Sequence, residues 1–314
     1  MLPFNKRGTK KGEFEGVYVG EKFGPEIYPV TDHMVKCFAF AQDDYDPWTF
    51  SADNPFEKRI AQAACLSQDL LWIFMTVYDP NTVVGLHTQE ELWFHSPAYV
   101  GETITTTGEY IDKFEKRGKG YCVLASEVRG EDGRLIMTHR GEEIMRIVAS
   151  QIGEKKQGEV KQGAITGEYD RTITPAAKAT KDIAVGTPTT PLVKHNTNEQ
   201  TQVFSNVGQF FESIHADIHV AKKSGYDGLV VQGQQQVSYV TEMLRYFFGA
   251  SWFTSGYVKI KMLKRVIAGE TLTCQGVVVD KTEEDGRTKL HLHVWAKDSV
   301  GDLTVIGWAS AFVE

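Results

Sequence analysis

The spacing of apolar residues predicts one long helix in each half of the chain. Apolar residues recur at helical intervals over residues 57–78, and Pro80 and Asn81 are expected to end this helix. A second such pattern covers residues 229–248 and is followed by Gly249, a residue type common after the last turn of a helix. Two long apolar helices are therefore expected.

Strand-like alternation follows each of these helices. Apolar and polar residues alternate in residues 122–128 and 289–295, which is typical of half-buried strands. The turn sequences EDGR at 131–134 and SVGD at 299–302 predict hairpins. Each half is thus expected to form a long helix wrapped by an antiparallel sheet, which is an α+β arrangement.

One segment occurs twice. GETITTTGEYIDK at 101–113 returns as GETLTCQGVVVDK at 269–281, an offset of 168 residues. In both copies a glycine stands just before a predicted strand, where it permits a positive φ or a bulge. Because the order of loop, helix and strands also repeats, we interpret the halves as copies of one structural unit.

A change in composition separates the two halves. Residues 151–196 are polar and rich in Gly, Pro and Thr, which is typical of an extended connector that lies over a surface. We expect an N-terminal unit at residues 1–150, an extended linker at 151–196 and a C-terminal unit at 197–314.

The charge and composition narrow the class of protein. The 314 residues carry a formal net charge of −7, which argues against nucleic acid or an anionic membrane as a partner. The basic N-terminus is not followed by an apolar run of the secretory type, and the longest apolar run, residues 70–75, is far too short to span a bilayer. The four cysteines include no CxxC pair, which argues against a zinc or redox site. We expect a cytoplasmic protein.

The duplicated order of elements, with HSPAYVGETIT in one half and KRVIAGETLT in the other, resembles the double hot-dog proteins. More narrowly, the chain resembles the MaoC-like (R)-specific enoyl-thioester hydratases and dehydratases, over nearly its whole length. The resemblance implies an α+β double hot-dog fold. It also implies a first half of the type that is usually supporting and a second half of the type that usually carries catalysis.

The stretch FFESIHADIHVAKKSGYDGLVVQGQ carries the resemblance in the second half. His215 falls on the histidine of the family motif, and Asp217 falls on the aspartate two residues later. Tyr226 matches the aromatic position and Gly228 the glycine that follows. Gly233 matches the glycine of the His-Gly pair at the start of the hot-dog helix.

The same stretch departs from the motif at several positions. Phe210 stands where the family has its catalytic aspartate, and Gln232 replaces the histidine of the His-Gly pair. Glu212 and Ser213 occupy the Asn and Pro positions. The second half therefore keeps the motif histidine and lacks the aspartate.

The first half shows the opposite departure. In DDYDPWTF, Asp44 falls on the catalytic aspartate, Asp46 on the Asn and Pro47 on the Pro, but Thr49 stands where the histidine would be. A composite site that joins Asp44 to His215 is one hypothesis that this division leaves open.

Hydration of an enoyl thioester requires a base, an acid and donors to the thioester oxygen. By resemblance, the Gly233 N–H at the helix start would supply such a donor. His215 is the strongest catalytic candidate, and Glu212 and Asp217 are candidates for the missing carboxylate. Each has an ordinary alternative, as a hydrogen-bonded loop histidine or as a solvated or capping carboxylate.

The resemblance implies an acyl-CoA or acyl-carrier thioester as the substrate, lined by Gly233, Gln232, Phe210 and Tyr226, and a lyase reaction without cofactor. A thioesterase, isomerase or cyclase of the same fold, or a non-catalytic thioester-binding subunit, remains an alternative because the catalytic pair is altered. His215 and His219 are four residues apart, but no HExxH pattern accompanies them, so we expect no metal. Pairing of sheets edge to edge would give a homodimer.

Overall fold

The computed structural model describes residues 8–82, 85–146, 165–205 and 213–313. The first half contributes the strands β1 (Lys22–Pro29), β2 (Leu86–Phe94), β3 (Thr103–Lys116), β4 (Lys119–Gly130) and β5 (Leu135–Arg146). Its helices are α1 (Asp32–Gln42), α2 (Pro47–Phe50) and α3 (Ser67–Trp72), with 3-10 turns at Phe14–Gly16 and Ile73–Thr76.

The second half repeats this order with one much longer helix. Its strands are β6 (Leu192–His195), β7 (Tyr257–Met262), β8 (Thr271–Glu284), β9 (Arg287–Lys297) and β10 (Leu303–Phe312). Its helices are α4 (Asn198–Phe204), α5 (Ile218–Lys223), α6 (Gly233–Phe248) and α7 (Ala250–Ser255). The helix α6 is buried along almost its whole length.

These strands form one sheet in the order β1-β3-β4-β5-β2-β7-β10-β9-β8-β6. Every neighbouring pair is antiparallel. The two halves meet at the centre, where β2 pairs with β7 from Gln89 opposite Lys261 to Trp93 opposite Tyr257. The strand order of one half mirrors that of the other, as expected for a duplicated unit.

The repeated segments form the same corner in both halves. Gly101 has a φ of 99° and Gly269 a φ of 98°, a region that favours glycine. The Gly101 N–H donates to the Val30 carbonyl at 2.8 Å, and the Gly269 N–H donates to the Asn196 carbonyl at 2.5 Å. The predicted duplication is therefore confirmed at its most specific residue.

The lysine that ends each repeat also has the same task in both copies. Lys113 donates through Nζ to the Val17 carbonyl at 2.7 Å, and Lys281 donates to the Ile183 carbonyl at 3.2 Å. In each half the ammonium group thus holds the chain segment that precedes the unit against the sheet.

The two predicted helices have different outcomes. The second-half helix is confirmed, although α6 begins at Gly233 rather than at residue 229. The first-half helix predicted over residues 57–78 is wrong, because only α3 and the 3-10 turn after it are helical there. The backbone N–H groups of Ile60 and Ala61 instead donate to the carbonyls of Trp48 and Ala98, so long-range pairing replaces helical hydrogen bonds.

Residues 165–196 of the region predicted as a linker are among the described residues. The Gly186 N–H donates to the Val278 carbonyl at 2.7 Å, and the Thr189 N–H donates to the Gly276 carbonyl at 2.9 Å, so this segment lies along β8. Residues 147–164 lie outside the described residues, and the division at 1–150, 151–196 and 197–314 stays a prediction. In the part of the chain that the structure describes, no helix is long and apolar enough to cross a membrane.

Candidate functional site

His215 lies beside the segment that leads into α6. Its Nδ1 is 2.6 Å from the Val230 carbonyl oxygen, and the Val230 N–H donates to the Ile214 carbonyl at 3.0 Å. These bonds hold the imidazole beside Val230. Val230 lies three residues before Gly233, the first residue of α6. Since a carbonyl only accepts, Nδ1–H is the donor, and Nε2 is the nitrogen left for proton transfer.

Burial determines the charge of this histidine. Removal from water lowers the pKa of His215, and the hydrogen bond to Val230 opposes this change only partly. The imidazole is therefore neutral at pH 7, with a lone pair on Nε2. This is the form that accepts a proton from water or orients it.

The start of α6 is tightly packed around Gly233. A Cβ atom at Gly233 would lie 3.2 Å from Met262 side-chain atoms and 3.3 Å from His87 Nδ1, closer than most side chains tolerate. Gln232 precedes the helix and donates through Nε2 to Ser205 Oγ at 3.0 Å. The 16-residue helix presents the positive end of its dipole and its first N–H groups at this point.

A second group of side chains borders Gly233, and sequence reasoning missed it. Glu90 on β2 is fully buried, and its Oε2 accepts from His87 Nε2 at 2.9 Å and from His139 Nε2 at 3.0 Å. Its Oε1 accepts from Gln234 Nε2 of α6 at 3.0 Å. The signal available in the sequence was that Glu90 shares a strand face with Leu92 and Phe94, which follow it at intervals of two residues.

The charges of Glu90 and of the two histidines influence one another. Burial raises the pKa of Glu90, but the two histidines outweigh it, and the net pKa lies below the usual value for a glutamate. Burial lowers the pKa of His87, but Glu90 outweighs it, and the net pKa is raised. Glu90 is therefore an ionised carboxylate that stabilises a positive charge on the imidazole beside it.

The remaining motif residues have packing or capping roles in the structure. The Asp217 carboxylate caps α5 and accepts from the His219 N–H at 2.7 Å. The Arg265 guanidinium lies over the Tyr226 ring at 5.4 Å. A Cβ at Gly228 would lie 2.7 Å from Ile267 Cγ2, so glycine is needed there for close packing.

Phe210 and Glu212 lie outside the described residues. The roles expected for them, in lining the substrate and in replacing the missing carboxylate, stay predictions.

Asp44 lies in a buried group of charges where the first half contacts β6 and α6 of the second half. Its Oδ1 is 3.6 Å from Arg245 Nη2, and Arg245 Nε is 3.0 Å from Asp46 Oδ2. Lys194 Nζ is 2.8 Å from Glu242 Oε2. Burial raises the pKa of Asp44 to about 6 and that of Glu242 to about 8.

Asp44 and His215 contact different parts of the second half. Asp44 pairs with Arg245 in the last turn of α6 and lines a cavity with Ser238 and Thr241, whereas His215 bonds to Val230, ahead of α6. No hydrogen bond joins the two side chains in the described part of the chain, and the composite Asp44–His215 site stays a prediction.

The position in the first half that corresponds to this site is closed. A cavity of ≈ 10 Å³ there is lined by Asp44, Gln62 and Glu242 among others, which is room for about one water molecule. A larger cavity of ≈ 40 Å³ lies between α1, α3 and α4, with Phe38 and Phe204 in its walls. Among the residues with described positions, no group of three or more His, Cys, Asp or Glu is arranged to hold a metal ion.

Comparison with known proteins supports the fold. Residues 17–139 match the family described as FAS1-like, dehydratase domain region. A solved structure of a MaoC-like dehydratase superposes with a TM-score of 0.71 at 17% identity, covering 96% of this chain and 99% of that chain. No curated protein matches the sequence.

Two further solved structures are similar over the same extent. A putative MaoC domain protein dehydratase from Chloroflexus aurantiacus J-10-fl gives a TM-score of 0.69 at 11% identity, covering 96% of this chain and 97% of that chain. A conserved hypothetical protein from Mycobacterium tuberculosis, described as having a double hot-dog fold, gives 0.64 at 14% identity, covering 96% and 98%. The predicted α+β double hot-dog fold is confirmed.

Proposed function

We propose that this protein, a double hot-dog member of the MaoC-like dehydratases, catalyses the reversible addition of water to a 2-enoyl thioester carried by CoA or an acyl carrier protein. The observation that supports this most directly is the hydrogen bond of 2.6 Å that holds the His215 imidazole to Val230, three residues before α6 begins. A proton-transfer group is thereby fixed to the segment that leads into a helix N-terminus, and thioester hydration requires both features.

The chemistry follows from these two features. The thioester oxygen gains negative charge as water adds to C3, and the N–H groups and dipole at the start of α6 favour that charge. Gly233 carries no side chain at this point, where a Cβ would already be close to Met262 and His87 and would further crowd a thioester. His215 Nε2 faces the reacting water as an acceptor, so it orients the attacking oxygen.

We assign a structural role to the position around Asp44, the first-half counterpart of this site. This position contains a ≈ 10 Å³ cavity, where Arg245 pairs with Asp44 and Asp46 and Lys194 pairs with Glu242 of α6. Ala63 lines that cavity at the edge of the short helical segment of the first half. In this structure the cavity has room for about one water molecule.

The experiment is a spectrophotometric assay without added cofactor. Loss of the enone absorbance of crotonyl-CoA and of bulkier 2-enoyl-CoA esters measures hydration. His215→Ala should lower kcat by about a hundredfold or more, because a positioned proton-transfer group contributes at least that much. His219→Ala, an exposed histidine on α5 only four residues away, is the matched control and should keep normal turnover.

Other outcomes distinguish the alternatives. Release of free thiol without enone loss would favour thioester hydrolysis. Binding of the thioester with neither reaction would favour a non-catalytic subunit. Hydration that survives His215→Ala would contradict the assignment of the site.

A further inference from the structure

The Glu90 network joins the two halves of the chain at the start of α6. Glu90 and His87 belong to β2 of the first half, and Gln234 belongs to the first turn of α6 in the second half. The carboxylate accepts from three side-chain donors, so its hydrogen-bonding capacity is well used. This fixes the position of His87 relative to Gly233.

One nitrogen in this network has no partner. His87 Nδ1 is buried and makes no hydrogen bond to any described residue. It lies 3.3 Å from the position that a Cβ of Gly233 would occupy. Leaving a buried nitrogen without a hydrogen bond lowers the stability of the fold. Because Nδ1 lies next to the start of α6, we infer that a bound molecule supplies its partner.

The orientation of the ring identifies the reactive atom. His87 Nε2 faces the Glu90 carboxylate at 2.9 Å and the Gln89 carbonyl at 3.1 Å, both of which only accept. Nε2 therefore carries a hydrogen, and Nδ1 is the atom that gains or loses a proton. A carboxylate that orients an imidazole in this way is the arrangement by which histidine bases are commonly activated.

We propose that His87, oriented by Glu90, is a catalytic residue, and that the active site is built from both halves of the chain. It supplies the proton transfer that the family motif assigns to a carboxylate at position 210. The inference rests on the proposed hydratase function and extends it to a residue outside the motif.

The proton balance is simple. In hydration, one water O–H bond breaks and the proton passes to His87 Nδ1, while the oxygen bonds to C3 of the enoyl group. The π electrons of the C2=C3 bond move toward C2 and the thioester oxygen. The imidazolium then gives its proton to C2, so His87 returns to its neutral form and one water has been added.

The surroundings fit this cycle. Glu90 stabilises the imidazolium, and His215 Nε2 accepts the other O–H of the water. Met262 packs on the same side of Gly233 as His87 does. Methionine is unbranched and adaptable, so a substrate that reaches Nδ1 would meet a side chain that repacks readily.

The decisive comparison is His87→Gln with His139→Gln. Both variants remove a donor to Glu90 Oε2, but His139 Nδ1 is bonded to Ser126 Oγ at 2.8 Å and does not border Gly233. Both should lower the Tm. His87→Gln should lower kcat by about a hundredfold or more and remove one ionisation from the pH profile of kcat, with KM changed less than about threefold. His139→Gln should lower kcat far less.

Equal effects of the two variants on kcat, with an unchanged pH profile, would show that His87 is only structural and would overturn the inference. A second measurement keeps the two proposals separate. In ¹⁵N-histidine-labelled wild-type protein, 3-hydroxybutyryl-CoA should shift the His87 Nδ1 resonance, assigned by its loss in His87→Gln. If the wild type hydrates no thioester, the proposed function fails. An unshifted His87 resonance would then overturn this inference as well. A shifted His87 resonance would instead support contact between His87 and the acyl thioester.

Discussion

The buried carboxylate of Glu242 predicts a specific dependence of stability on pH. Its pKa is raised to about 8 by burial and by repulsion from Asp44, although Lys194 and Arg245 act in the opposite direction. The folded protein therefore binds a proton on Glu242 at pH values where the unfolded chain has lost it. The contribution of Glu242 to the free energy of unfolding is therefore most favourable below pH 4.5, the pKa of a glutamate in the unfolded chain, and it falls as the pH rises toward 8.

The size of the effect follows from the two pKa values. The difference between 4.5 and about 8 corresponds to about 5 kcal/mol of the free energy of unfolding. Glu242→Gln has nearly the shape of the protonated acid and does not ionise. We expect the variant and the wild type to have similar stability at pH 5, and the variant to be more stable by several kcal/mol at pH 9.

The assay is thermal unfolding followed by tryptophan fluorescence at pH 5, 7 and 9. At about 2 °C per kcal/mol for a chain of this size, the Tm difference between Glu242→Gln and the wild type should grow by roughly 10 °C over this range. Glu57→Gln, at an exposed glutamate, is the control and should show no such trend. A Tm difference for Glu242→Gln that does not change with pH would refute the reasoning.

Two further predictions concern glycines. Gly101→Ala and Gly269→Ala each force a positive φ on a residue with a Cβ, so each should lower the free energy of unfolding by about 1–3 kcal/mol. Urea titrations should give similar values for the two variants. Clearly unequal values would contradict the equivalence of the two corners. Gly233→Ala places a methyl group against Met262 and His87, and should reduce thioester hydration by tenfold or more while lowering Tm only slightly; normal kcat and KM would argue against a substrate carbonyl at this position.

The sequence predicted the elements that are determined by the local pattern of apolar and polar residues. The apolar period that defines α6 is continuous, and Gly249 ends it with a φ of 63°. The first-half helix failed because Ile60 and Ala61 pair with residues distant in sequence, and no local pattern records such pairing. Tertiary hydrogen bonds there take precedence over a helical arrangement of apolar side chains.

The candidate site divides in the same way. Motif spacing alone proposes His215 and Gly233, since both belong to one continuous stretch. It does not find the Glu90 network, because its contact with Gln234 joins residues 144 positions apart. The signal for it was present on β2, where Glu90 shares a strand face with Leu92 and Phe94.

The pairing of β2 with β7 places two non-identical halves in one covalent chain. In a symmetric pair of identical hot-dog subunits, every substitution occurs twice, so a change that closes one site closes both. A tandem chain is free of this restriction. Arg245 and Lys194 can seal one side with fixed charges while the other side keeps a glycine and two histidines. The linked architecture thus lets the two regions diverge independently, although each draws side chains from both halves of the chain.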